Sequence, residues 1–190
     1  NPYSATKAGG EELAVAFENS YNMPIFITHT MNVFGERQHP EKFIPKCIIS
    51  ARDGLPVEIH SNKKKTKAGS RHYIHASDVA DGCLFLIKNR NRILNKNNHD
   101  YGGAKCPKFN LVGPVELDNL ELAKLIAVSV GKKLKYKMVD FHSSRPGHDL
   151  RYALDGNLMK KLGWKPSVSI EKRINQVVNW TLINNRWLKI

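Results

Sequence analysis

The chain has 190 residues, of which 41% are hydrophobic and 25% charged, enough for one domain or one large part of a two-domain protein. No low-complexity tract is present, so a disordered chain is excluded, and the apolar runs are too short to span a bilayer. The formal charge of +13, from 30 Lys plus Arg against 17 Asp plus Glu, favours anionic partners: nucleic acid, a membrane surface or phosphorylated small molecules. Cys47, Cys83 and Cys106 are widely spaced, odd in number and outside any C-x-x-C pair, so neither a disulfide framework nor a metal site is expected. They read as reduced thiols of a cytoplasmic protein. The start carries no Met and no basic segment followed by an apolar one, so no signal peptide is expected and the chain reads as part of a longer one.

In chain order, Ser4 to about Tyr21 are helix formers, with Leu13, Ala16 and Phe17 on one face and Glu11 and Glu12 beside them. "PIFITHTMNVFG" is β-branched and aromatic and closes at Gly35, which predicts a buried strand and a loop. Phe43, Ile44, Cys47, Ile48 and Ala51 recur at helical spacing up to Gly54. A strand "PVEIH", a basic loop "SNKKKTKAGSR" and a β-prone "RHYIH" follow. Val79, Cys83, Leu86 and Ile87 mark a helix, and "NRNRILNKNNHDYGGAK" reads as a surface connection before the strand "KFNLVG". Leu122 to Val130 form a helical stripe stopped by Gly131, then comes an alternating strand "KLKYKMV" and a loop "SSRPGHD". Ile170, Ile174, Val177, Val178 and Leu182 define a last helix capped by Ser169. Helices alternate with strands, which predicts an α/β fold with partly parallel pairing.

Tyr3 and Lys7 are four apart and share one helix face. A phenol is a poor base at neutral pH, but an ammonium beside it stabilises the phenolate. The pair therefore suits proton removal from a sugar or alcohol hydroxyl while a hydride leaves the adjoining carbon. Alone, Y-x-x-x-K reads more simply as two exposed residues on a helix.

The surrounding stretches change that reading. "NPYSATKAGGEEL" resembles the catalytic segment of extended short-chain dehydrogenases/reductases, in the NAD-dependent epimerase/dehydratase family. "MNVFGERQHPEKFIPKCI", "GLPVEIH", "SRHYIHASDVADG", "FNLVG" and "RPGHDLRYALDGNLMKKLGWKPSVSIEKRINQVVNW" are similar, in order, to its later motifs. The last is most typical of the 4,6-dehydratases of dTDP-glucose, whose close relatives act on UDP-glucose. The resemblance covers nearly the whole chain. It implies the C-terminal part of a Rossmann-type NAD domain in residues 1–52 and mainly the smaller α/β nucleotide-sugar-binding domain in 53–190, with one strand near 108–113 returning to the NAD domain.

Residue by residue, the resemblance implies Tyr3 as catalytic base and Lys7 as its electrostatic partner, both also contacting NAD. Met31 and Val33 would lie near the nicotinamide. Asn32, Lys42, Phe43, Ile59, His60, Arg71, Asn110, Arg145 and His148 would bind the nucleotide-diphosphate sugar. Arg71 and Arg145 suit phosphate because a guanidinium binds two oxygens at once, and Lys42 and Phe43 would open a helix whose amides face the diphosphate. The plainer readings are a turn residue for Asn32, solvated side chains for Lys42 and both arginines, and a structural role for His148. The basic run Lys63 to Lys67 departs from the family pattern and reads as a solvated loop that strengthens the attracting field. A homodimer through the Tyr/Lys helix is implied, with Leu13 and Phe17 serving either that surface or the core.

Three rivals remain at this level, one of them a binding or oligomerisation fragment without catalysis. A nucleotide-sugar 4-epimerase or decarboxylase of the same family uses the same Tyr/Lys pair. A nucleic-acid-binding module explains the charge, but there is no helix-turn-helix, finger or aromatic platform beside the lysine run. Neither "GEELAVAF" nor "YGGAK" has the strand-G-x-G-x-x-G-helix context of a cofactor phosphate loop. The family's upstream Ser/Thr and its Asp-Glu pair are not in the sequence either. The expectation is that this chain alone lacks dehydratase activity and binds NAD poorly; product in a turnover assay with dTDP-glucose and NAD refutes it.

Overall fold

The computed structural model describes residues 2–94, 106–140 and 149–188. Two compact units emerge, one of Asn1–Thr30, Ala80–Leu111 and Asp155–Lys165, the other of Met31–Val79, Val112–Leu154 and Pro166–Ile190. Compactness thus divides the chain elsewhere than between residues 52 and 53.

In the first unit, α1 (Pro2–Tyr21) lies beside β1 (Ile27–Thr30), which pairs in parallel with β6 (Lys108–Leu111). Leu13 and Phe17 do not face a core: they are 61% and 48% exposed. The inward stripe is Glu11, Ala14, Val15 and Glu18, all half-buried. Polar contacts turn the helix this way. Glu11 Oε2 meets His29 Nε2 at 2.9 Å, Glu11 also pairs with Lys108, and the Ala14 carbonyl accepts from Cys106 Sγ. α3 (Ala76–Lys88) is followed by a single turn, α4 (Arg90–Ile93), inside the segment expected to be irregular. The short α6 (Asn157–Leu162), unforeseen in the sequence, brings Met159 and Trp164 into the interior, where Trp164 Nε1 donates to Asp81 at 2.8 Å.

The second unit holds the main core. Past the expected strand, in the expected loop, Val33–Phe34 form a second short strand, β2, which pairs in parallel with β5 (Ile74–His75). α2 (Phe43–Asp53) ends where expected, because Gly54 takes the left-handed conformation at φ 69° that side chains disfavour. β3 (Val57–Ser61) pairs in parallel with β8 (Tyr136–Asp140). A separate sheet has the order β7–β4–β9, with β4 (Ser70–His72) antiparallel to β7 (Glu116–Asp118) and parallel to β9 (Arg151–Tyr152). β7 and β9 are too short to show a period.

α5 (Asn119–Val130) starts earlier than its apolar stripe because Asp118 and Glu121 form a capping box. It packs between α2 and α7 (Ile170–Ile183), which Ser169 caps as expected. Ile44, Cys47 and Ile48 from α2, Ile59 from β3, Leu122 and Ile126 from α5 and Ile174 and Val178 from α7 meet in one cluster. Each fully buried aliphatic side chain there contributes about 1.5–3 kcal/mol. The basic loop is ordered from within, since Asn62 Oδ1 accepts from the Thr66 and Lys67 amides at 2.8 and 3.1 Å.

Gly113 passes against the backbone of Tyr73. A Cβ there would stand 1.9 Å from the Tyr73 carbonyl oxygen, and a backbone atom cannot move aside as a side chain can. Gly113→Ala is expected to cost more than about 3 kcal/mol in denaturant unfolding; near-wild-type stability contradicts this packing.

Candidate functional site

The structure brings five of the sequence-predicted residues to one cavity in the second unit. It measures about 820 Å³, and its lining includes Asn32, Lys42, Phe43, His60 and Arg71. Lys42 occupies the N-cap position of α2 with extended backbone and makes no side-chain capping bond. The first amides of α2 and the positive end of its dipole are therefore at the cavity. Lys46, one turn on, adds a second ammonium that sequence reasoning missed; its i,i+4 spacing from Lys42 was the available signal. Glu41 and Glu58 also line the cavity, so its charge is mixed.

Arg71 is held rigidly. Its Nη1 donates to the Ser70 and Leu150 carbonyls at 2.6 and 3.0 Å, and Nη2 to the Asp149 carbonyl at 2.9 Å. Tyr152 stacks on the guanidinium, 5.9 Å from its ring centroid. Among the described residues, the carbonyl bonds use three of its five N–H groups, leaving Nε and one on Nη2. The strands around it are pinned by Glu116, which accepts from Ser70 Oγ at 2.6 Å and from Arg151 Nε and Nη2 at 2.9 and 2.8 Å. Arg151 first, then the Ser70 hydroxyl, holds the Glu116 carboxyl down at about 2.

Two lining residues outside the sequence reading, Tyr73 and Asn119, complete a polar wall. Tyr73 Oη donates to Asn119 Oδ1 at 2.7 Å, and burial pushes its phenol above the ordinary range. Neither residue has a local signal, because their meeting joins segments 46 positions apart.

Other predicted residues fall elsewhere. The Ile59 side chain is fully buried in the core, so only its backbone is available to a ligand; Met31 is 1% exposed, and Val33 is exposed. The Asn110 side chain is engaged in the first unit, with Oδ1 3.3 Å from His29 Nδ1 and Nδ2 donating to the Asp155 carbonyl at 2.9 Å. Arg145 and His148 lie outside the described residues.

In the first unit, Tyr3 and Lys7 share a face of α1, with Lys7 Nζ 5.7 Å from the Tyr3 ring centroid and Tyr3 70% exposed. The three cysteines are free, and burial raises Cys47 to about 12 and Cys106 to about 11, which leaves both as poor nucleophiles. Among the described residues, no group of three His, Cys, Asp or Glu could hold a metal, and no helix is long and apolar enough to cross a membrane.

A parallel α/β framework with a Tyr/Lys helix and a cavity of mixed charge defines a class, and comparison with known proteins supplies the family. Residues 1–177 match the family model described as GDP-mannose 4,6 dehydratase. The chain belongs to that family, among the extended short-chain dehydrogenases/reductases.

It is similar to a dTDP-glucose 4,6-dehydratase of Haemophilus influenzae, at 33% identity over 97% of this chain and 53% of that protein. A trifunctional UDP-glucose 4,6-dehydratase/UDP-4-keto-6-deoxy-D-glucose 3,5-epimerase/UDP-4-keto-L-rhamnose-reductase of Arabidopsis thaliana is 34% identical over 98% of this chain and 25% of that one. Among solved structures, a dTDP-glucose 4,6-dehydratase of Streptomyces venezuelae with NAD bound superimposes with a TM-score of 0.77, at 30% identity, over 99% of this chain and 53% of that chain. The chain spans about half the length or less of the curated relatives it matches.

Because Glu116 titrates lower folded than its ordinary 4.5, its contribution to stability is present above that value and is lost as pH falls from about 4.5 toward 2. Glu116→Gln is expected to lower stability at neutral pH and to flatten the acid limb of a pH–stability curve followed by circular dichroism. An unchanged acid limb contradicts the assignment.

Proposed function

We propose that the chain is the nucleotide-sugar-binding and Tyr/Lys-bearing part of a nucleotide-sugar 4,6-dehydratase, which converts dTDP-glucose or UDP-glucose to the 4-keto-6-deoxy sugar and recycles NAD. The supporting observation is the single cavity that gathers Asn32, Lys42, Phe43, His60 and Arg71, five residues named for that ligand from the sequence. Lys42, Lys46, the α2 amides and Arg71 offer a diphosphate several charged donors. His60 and Phe43 offer ring faces to the base.

Functionally, residues 1–52 with β6 beside β1 form the end of the NAD-binding domain, and 53–190 mainly the sugar-nucleotide domain, with α2 lining the cavity from the former. The residues present fit one end of the cofactor: α1 carries no buried residue, and its exposed Tyr3 and Lys7 would hold the nicotinamide ribose. When bound, NAD supplies the hydride acceptor. Tyr3, with Lys7 one turn along the same helix face, takes the proton of the sugar 4-hydroxyl. Exposed Leu13, Phe17 and Tyr21 on α1 support a homodimer through that helix. Free thiols suit the cytoplasm.

Calorimetric titration of this chain with dTDP and UDP tests the reading. Binding is expected, and Lys42→Ala and Arg71→Ala each weaken it by roughly tenfold or more. Absence of binding, or indifference to both substitutions, overturns it, and tight salt-sensitive DNA binding favours a nucleic-acid module. Sedimentation equilibrium of the same samples decides the dimer, which a monomer at all concentrations excludes.

A further inference from the structure

Tyr73 lies at the bend between β4 and β5, 6% exposed, with its ring in the core cluster and its hydroxyl at the cavity wall. The wall around it has a direction. A phenol has one proton to give, and Tyr73 gives it to Asn119 Oδ1 at 2.7 Å. That proton is therefore committed to Asn119, and the link runs from Tyr73 to Asn119.

The acceptor is placed by the fold, since Asn119 opens α5 and its backbone amide donates to the Gly69 carbonyl at 2.9 Å. Once Oδ1 is occupied by Tyr73, the Nδ2 group is the part of the amide left for other partners, and it can only donate.

We propose that Tyr73 is a positioning residue of the cavity: its hydroxyl fixes the Asn119 carboxamide with the N–H pair available to a ligand, so this position selects an oxygen acceptor such as a phosphate oxygen. The proposal rests on the nucleotide-diphosphate reading of the cavity and assigns to Tyr73 a role that acts through Asn119. Without the hydroxyl, the Asn119 amide is free to turn, and the wall loses its preference for an acceptor. Burial serves the same end, because a phenol kept neutral retains the proton it donates.

Tyr73→Phe keeps the ring in the core and removes only the hydroxyl. In this chain it is expected to weaken dTDP and UDP binding by roughly tenfold, the scale of one hydrogen bond to a charged group. In an Asn119→Ala background it should add nothing, because its effect passes through Asn119. Without ligand, the Asn119 side-chain amide resonances should shift on Tyr73→Phe, which a merely structural loss elsewhere would not produce. An unchanged dissociation constant, an equal loss in the Asn119→Ala background, or unmoved amide resonances overturns the proposal. If wild-type chain binds neither dTDP nor UDP, the functional reading fails, and the ligand-free resonances still decide the Tyr73–Asn119 link. Should Tyr73→Phe not fold, the wild-type Tyr73 hydroxyl proton decides it: protected from exchange and close to Asn119 if the Tyr73–Asn119 link exists, undetectable if it does not.

Discussion

The second unit depends on the bend at Tyr73. Its ring fills the core formed by α2, α5 and α7, its carbonyl runs against Gly113 so closely that no Cβ fits, and its hydroxyl meets the first residue of α5. Three segments distant in sequence are thereby held to one residue. Arg71 is two positions earlier on the same strand path, so the bend that packs the core also places the cavity's guanidinium. Packing and binding geometry here are one constraint, since the buried ring leaves the strand little freedom to shift.

The large positive charge is selective in its effect. Most lysines lie on the surface, and those at Lys63 to Lys67 sit on a loop ordered by Asn62, where they act only through the general field. At the cavity, Lys42 and Lys46 share a helix face and the Arg71 guanidinium is immobilised by three backbone carbonyls. An immobilised donor loses little further freedom on meeting an anion, whereas a loop lysine must be ordered first. The excess charge raises the field felt by any anion, whereas the few fixed donors have a set geometry.

Much of the fold was legible in the residues. Gly54 and Gly131 ended their helices, Ser169 began one, and the alternation of helices and strands implied parallel pairing, which β1–β6 and β3–β8 show. Motifs singled out the candidate site residues, and five of them share a cavity. What escaped has identifiable causes. α5 began early because the capping box of Asp118 and Glu121 lies outside its apolar stripe. Asn110 turned to framework because His29 and the Asp155 carbonyl occupy its amide. Ile59 went to the core because alternation along β3 puts its side chain on the buried face.

By itself, the sequence determined helix ends, strand content and the Tyr3/Lys7 register, because those rest on backbone preferences and spacings within a few residues. Only the tertiary structure decided that α1 turns Glu11 rather than Leu13 inward, and that Tyr73 and Asn119 stand in the wall of the cavity. Those outcomes depend on which atoms meet across tens of residues of chain, and a polar partner at the meeting point, such as Lys108 for Glu11, can outweigh the local apolar pattern.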